Sequence, residues 1–412
     1  MTDPAPPAAS SGSGLRQILL ATVIAGALGY VIQGVAYGMT DADGRIAFAV
    51  LWGAIYLVVS CLSGIQQELT RASSSSPQGS GARTWLLYTL VAAAATAIVI
   101  TAVFAVLGPR MFPTDTASLV AAVVVACTGY ALVASLSGAM YGVREWKGVA
   151  ALTITDSALR ALAITTALLA GASTMWLGWA IALPFIAAAA LIWLFVGRRI
   201  RRHLMLDAPL RVLLRHTVAT LLASLAMGML ISGLPVLLQL LAADAGTELR
   251  ASLMQVTTLT RAPLVVPILA LQGFLLVQFR DAGPALIPRL LKSLALIAAG
   301  VVVVAFAAAA LGPWVMSWLY PAALALPSAD FGIIVLSGGL TALMCVTSQA
   351  VLAASRHTAY TTGWVLSAVA TTVILMLPVE PHTRILIAFL VGPVLGAAVH
   401  LMAVLRVRSA AS

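Results

Sequence analysis

The sequence predicts an all-α polytopic membrane protein of about twelve transmembrane helices in two six-helix lobes. Three observations carry this prediction. The 412 residues are 61% hydrophobic and only 9% charged, with a mean hydropathy of +1.05. A soluble chain would carry roughly a quarter charged residues. Apolar stretches of about 20 residues, the length that crosses a hydrocarbon core, recur from Leu15 to Val407. Arginine and lysine also gather in alternate connections between those stretches, as topology by positive charge requires.

Taken in order, residues 1–14 (MTDPAPPAASSGSG) carry one charge and are rich in Pro, Ala, Ser and Gly, so they read as a disordered tail. The first apolar segment, 16–38, has only Arg16 before it and no convincing cleavage site; it is a retained span rather than a signal peptide. Further spans follow over 46–66, 84–107, 116–141, 148–170 and 174–196, completing a first lobe of 15–196. The longest basic connection, Gly197 to Arg215 (GRRIRRHLMLDAPLRVLLR), is a linker over 197–215. A second lobe over 216–408 holds spans 216–242, 252–279, 290–311, 330–354, 358–378 and 384–407. Six crossings return the chain to its starting side, so two such halves would be parallel repeats. Gly64 to Arg71 and Gly273 to Arg280 end the second spans of the two halves with Gly and Arg at the same spacing. Pro184, Pro235, Pro263, Pro267 and Pro393 lie inside spans and favour kinks, the pair after Arg261 most of all.

With the N-terminus inside, 17 of the 23 Lys and Arg residues fall on the cytoplasmic side. The outer loops hold only Arg45, Arg110, Arg250 and Arg384, against the acids Asp41, Asp43, Asp115, Asp244, Glu248, Asp330 and Glu380. The pI near 10.2 is therefore a topology signal and not a nucleic-acid signature. The localisation expected is the inner membrane of a bacterium, with both termini cytoplasmic.

Two cations remain inside the membrane, where they are costly unless used. Arg160 lies four residues after Asp156 on one face of the fifth span. That pair is either a structural ion pair or an anion site that Asp156 holds or services with a proton. Arg261 (Leu259-Thr-Arg-Ala-Pro263) has no acid within four residues and should lie roughly 13 Å below the outer surface. It is the foremost candidate for substrate contact. Arg45, opening the second span, is an interfacial anchor or a third member of a cationic cavity. Gln33, Gln239, Gln255, Gln272 and Gln349 are intramembrane amides suited to bonds across helices or to sugar hydroxyls. Gln66, Gln67 and Glu68 end the second span near the cytoplasmic face, where an ordinary helix-end role is favoured over substrate gating. Trp85, Tyr88, Trp146, Trp176, Trp314 and Trp318 fall near span ends, as an aromatic belt does.

Other chemistry is excluded. Cys61, Cys127 and Cys345 sit in apolar segments as small core residues. Asp41-Ala-Asp43 occupies a very short loop followed by Gly44 and reads as turn chemistry. The five histidines have no metal-ligand spacing, and no P-loop or nucleophile motif occurs. No cofactor, nucleotide-driven pump or integral enzyme is implied.

Twelve spans in two lobes, the Gly…Arg endings, Leu259-Thr-Arg-Ala-Pro263, and Gly138-Ala-Met-Tyr-Gly142 with Arg144 together resemble the multidrug/oligosaccharidyl-lipid/polysaccharide exporter superfamily, and within it the polysaccharide flippases. The resemblance covers residues 15–408. It implies a MATE/MOP-like fold working by alternating access, and a polyprenyl-pyrophosphate-linked saccharide as substrate for cell-surface polysaccharide biosynthesis. H+ or Na+ is a candidate coupling ion. Independently, a pyrophosphate head needs guanidinium donors, and Arg160 and Arg261 are the interior ones. Two alternatives stay open: a cation-coupled drug or metabolite antiporter of the same superfamily, and a non-transporting scaffold of a polysaccharide-synthesis complex. The first span carries no acid of the kind such antiporters use.

Overall fold

A computed structural model describes residues 11–73, 82–206, 208–280, 282–319, 326–354 and 356–409. Among them the secondary structure is α-helical, with two short 3-10 turns and no strand, as the apolar spans require. The first half contains α1 (Ser11–Met39), α2 (Ala42–Ser73), α3 (Ala82–Met111), α4 (Thr116–Gly142), α5 (Trp146–Leu169) and α6 (Thr174–His203). The second contains α7 (Leu210–Ile231), α8 (Leu234–Leu241), α9 (Thr247–Ala270), α10 (Gln272–Arg280), α11 (Leu286–Leu319), α12 (Ser328–Ala353), α13 (His357–Leu375) and α14 (Pro381–Ser409). Of the expected tail, residues 1–10 lie outside the described residues, and Ser11–Gly14 open α1.

Ten of these helices are long and apolar enough to cross a membrane, eleven if α7 and α8 make one broken span. The chain is thus an all-α, multi-pass membrane protein. The expected crossing at 252–279 is not in that set; Gln255, three threonines, Arg261, Gln272 and Gln278 lower its hydropathy, and it is split at Leu271 into α9 and α10. The helix backbone runs on through residues 263 and 267, so the interruption falls four residues beyond the second proline. The expected kink at Pro235 is a 75° bend between Ser224–Ile231 and Leu234–Leu241. There the N–H groups of Ser232 and Gly233 both donate to Gly228 O (2.8 and 3.1 Å), closing α7. Pro235 then starts α8 in the first turn, where its missing N–H costs nothing. Pro184 and Pro393 lie within uninterrupted helices.

The chain divides into two compact units. One comprises Met1–Ile32, Leu62–Phe104 and Val120–Leu221; the other comprises Gln33–Cys61, Ala105–Leu119 and Leu222–Ser412. In the first unit, Gly138 packs on α2 so tightly that a Cβ would lie 2.7 Å from Leu69 Cβ. Trp85, expected at the interface, is instead buried: it stacks on Trp193 (5.3 Å) and donates its indole N–H to Ser135 O (3.2 Å). Tyr88 is buried too, its hydroxyl 2.6 Å from Thr217 Oγ1. Trp176, Trp314 and Trp318 are exposed, as belt residues are.

In the second unit α12 is the hub, touching α9, α10, α11, α13 and α14. Over its apolar window it is 72% buried, whereas α11 is only 11% buried and offers its apolar surface to lipid. Residues that the charge count assigns to one face pair with one another. Arg45 meets Glu248 (3.9 Å), Arg384 meets Asp244 (2.6 Å), and His382 meets Asp330 (2.7 Å) among the outer set. Arg71 meets Glu68 (2.6 Å) and Arg199 meets Glu145 (2.7 Å) among the inner set.

Candidate functional site

Arg160 and Asp156 lie in the first unit on α5. The four-residue spacing brings Arg160 Nη2 to 2.5 Å from Asp156 Oδ1. Phe185 of α6 lies under the guanidinium, 3.9 Å from its carbon to the ring centroid. The cation is thus held by an acid on its own helix and by an aromatic face on the next.

Arg261 lies in the second unit, and its setting differs. It is 4% exposed. One Nη donates to Leu230 O, the carbonyl that the bend between α7 and α8 leaves without an intrahelical partner, and the other donates to Ser337 Oγ at 3.3 Å. The Phe389 ring centroid lies 5.7 Å from the guanidinium carbon. Gly338 on α12 packs beside it: a Cβ there would lie 3.5 Å from Arg261 Cγ, an ordinary van der Waals contact. No carboxylate pairs with Arg261 among the described residues, and its Nε has no hydrogen-bond partner there. A buried guanidinium held by a backbone carbonyl and a hydroxyl keeps its full charge.

The pair Arg160–Asp156 and the residue Arg261 therefore belong to different units. Arg45 shares the second unit with Arg261 but is committed to Glu248 at the opening of α2. Gln255, one and a half turns before Arg261 on α9, is fully buried, and neither of its amide atoms has a partner among the described residues. Thr257 Oγ1, one turn before Arg261, is in the same state. Gln239 by contrast accepts from Arg250 (2.9 Å), and Gln349 donates to Ser348 Oγ (3.2 Å). A groove of about 490 Å³ between α11, α12 and α14 is walled by Leu294, Leu340, Val394, Leu401 and similar residues. No charged side chain lines it.

Sequence reading missed two clusters. Glu68 is more than a helix-end residue: Arg71 grips it with Nε (2.9 Å) and Nη2 (2.6 Å), and His216 Nδ1 on α7 lies 3.3 Å from the same carboxylate. His400 on α14 bridges α12 and α13. Their partners lie 148, 53 and 40 residues away in the chain, and no local pattern reports such distances. Asp41 caps the start of α2 through Gly44 N (2.8 Å), in keeping with its turn chemistry. Cys61, Cys127 and Cys345 are not in disulfides among the described residues, and no group of three metal-binding side chains occurs there.

Comparison with known proteins gives consistent findings. No protein-family model matches the chain. It is 30% identical over 404 residues to the uncharacterized protein Rv3630 of Mycobacterium tuberculosis, covering 97% of this chain and 93% of that one. It is 31% identical to the uncharacterized protein Rv1510 of the same organism, covering 87% and 84%. Among solved structures it superposes with a TM-score of 0.72 on an inward-facing multidrug resistance MATE family transporter of the MOP superfamily, at 14% identity over 95% of this chain and 98% of that one. It superposes with a TM-score of 0.67 on the lipid II flippase MurJ in an inward closed conformation, at 10% identity over 94% and 87%. The fold is that of MATE-like transporters.

Proposed function

Because the chain belongs to the family of the Mycobacterium tuberculosis proteins Rv3630 and Rv1510 and has a MATE-like fold, we propose that it is a flippase. It moves a polyprenyl-pyrophosphate-linked saccharide to the outer leaflet by alternating access of its two six-helix lobes. One observation carries the reading: Arg261 is a buried guanidinium with no carboxylate partner among the described residues. A diphosphate is the ligand whose charge and paired oxygens suit such a group. Gln255 and Thr257, buried with unsatisfied polar atoms on the same helix, add donors and acceptors of the kind that sugar hydroxyls need. The lipid tail stays in the bilayer while the head crosses. Arg160 with Asp156 forms a second, self-compensated cationic position. The protein resides in the inner membrane of a bacterium with both termini cytoplasmic, serves surface-polysaccharide synthesis and performs no covalent chemistry.

Deleting the gene should make lipid-linked sugars accumulate in the cytoplasmic leaflet and should deplete surface polysaccharide. Unchanged pools of both would overturn the reading. A cation-coupled antiporter is the second reading, favoured by the likeness to a multidrug transporter. Against it, α1 carries no carboxylate, and the deep carboxylate Asp156 is already bound to Arg160.

A further inference from the structure

His400 is a titratable group in the interior of the second unit that the site around Arg261 does not use. It is fully buried on α14. Its two ring nitrogens reach two other helices: Nδ1 lies 3.1 Å from Thr347 Oγ1 on α12, and Nε2 lies 3.1 Å from the backbone carbonyl oxygen of Tyr360 on α13. The ring stacks parallel to Tyr360 at 6.3 Å and meets Trp364 edge-on at 6.3 Å. Two glycines make the approach possible. A Cβ on Gly363 would sit 2.2 Å from His400 Nε2, and one on Gly396 would sit 2.7 Å from Gly363 O.

The hydrogen bonds constrain the protons. A carbonyl only accepts, so Nε2 carries a proton in every state. Thr347 has a single hydroxyl hydrogen and two competing acceptors, Met344 O at 2.9 Å and His400 Nδ1. With a neutral ring, that hydrogen must turn to Nδ1. With a charged ring, Nδ1–H donates to Thr347 Oγ1 and the hydroxyl keeps its bond to Met344 O. Both states are fully bonded with no heavy atom moved.

We propose that His400 is a proton-binding site of this protein. A proton from water adds to the Nδ1 lone pair, Nδ1–H then donates to Thr347 Oγ1, and the charge is spread toward the Met344 and Tyr360 carbonyls; release is the reverse. The titratable groups facing it are the Tyr360 phenol on α13 and the Cys345 thiol on α12, which packs in the same cluster as Trp364. On α12, Asp330 is 17 residues from Thr347, roughly 25 Å along the helix. On α14 itself, Arg406 is six residues away, roughly 9 Å along the helix, and Arg384 is 16 residues away, roughly 24 Å; on α13, His357 is three residues before Tyr360. On α9, Arg261 lies one turn before Val265 of that cluster. Among the described residues no carboxylate pins the proton, so small changes in the packing of α12 against α13 and α14 control its affinity. That is the property of a site that must load and unload. The use of the proton to drive a cycle rests on the transport reading above; its binding does not.

The test uses the full-length protein in detergent, with pH as the probe. Deuterium exchange at the imidazole C2 position, resolved by mass spectrometry, should give a sigmoidal profile for His400 between about pH 4.5 and pH 9. Protonation should quench Trp364, lowering the emission of the nine tryptophans by up to about one ninth with the same midpoint. The Gln side chain can donate to Tyr360 O and accept from Thr347, so His400→Gln should fold and abolish the fluorescence titration, and Trp364→Phe should remove the signal. A flat exchange profile for the native residue, or a fluorescence titration that survives His400→Gln, overturns the proposal. The exchange readout decides the matter even if the variant fails to fold. If His400 titrates while gene deletion leaves lipid-linked pools unchanged, the site stands and the transport reading falls; the opposite pair of results removes the site alone.

Discussion

Replacing Arg261 by Met keeps an unbranched side chain of similar reach while removing the charge and both donated bonds. On the stability side, Leu230 O, itself buried, loses its charge-assisted bond at a cost of about 1–3 kcal/mol. Removing a buried cation that has no carboxylate partner among the described residues recovers a desolvation penalty of several kcal/mol. The net effect on unfolding should therefore be neutral to stabilising. On the functional side, losing one partner of a desolvated charge pair with a diphosphate costs at least about 2 kcal/mol, which is about 30-fold in flux at limiting substrate. The assay pairs thermal unfolding of the purified variants with complementation of a deletion strain, scored by lipid-linked sugar pools at matched expression. Arg261→Lys divides the two roles. An ammonium can still reach a helix-end carbonyl, but it lacks the planar fork that grips phosphate oxygens. The substrate role therefore predicts a stable but impaired Lys variant. The reasoning is refuted if the Met variant complements fully, or if it unfolds early while Lys restores both stability and function.

Asp156→Asn should destabilise the protein by about 3 kcal/mol, because it leaves Arg160 buried without its counter-charge, whereas the double change to leucines should recover most of that in the same unfolding assay. Gly363→Ala should cost about 1–3 kcal/mol by driving a methyl into the His400 ring, visible as a lowered melting temperature. Backbone N–H groups of Thr383 and His382 hold the Glu380 carboxyl below the usual carboxylate range. Its folded pKa is depressed, so its contribution is present at neutral pH and lost as pH falls through that value. Glu380→Gln should accordingly flatten the acid limb of the stability profile. For sidedness, a cysteine at Ala245 should react with an impermeant maleimide in intact cells and one at Arg201 only after permeabilisation; the reverse pattern would invert the topology.

Much of the architecture was legible one residue at a time. Apolar length set where the helices run, and the described helices overlap each expected span, even where α7 breaks from α8 and α9 from α10. The Asp156–Arg160 pair was legible too, since four residues on a helix face is a local relation. The aromatic belt was only partly right. Trp85 and Tyr88 stand near a span end in sequence, yet α4, α6 and α7 residues cover them. Position along a helix does not report which side faces a neighbour.

The sequence by itself determined the class of molecule, the stretches of chain that become apolar helices, and the two interior arginines that stand out. Those are properties of hydropathy and charge, which add along a chain. Only the tertiary structure decided what each interior group is bound to. Arg261 meets a carbonyl 31 residues back, exposed by a bend at Ser232 and Gly233. Glu68 is shared with His216, and His400 spans three helices because Gly363 and Gly396 let their backbones close. Such pairings depend on how near two helices come and at what rotation. Small residues and packing set both, and neither leaves a periodic trace in the chain.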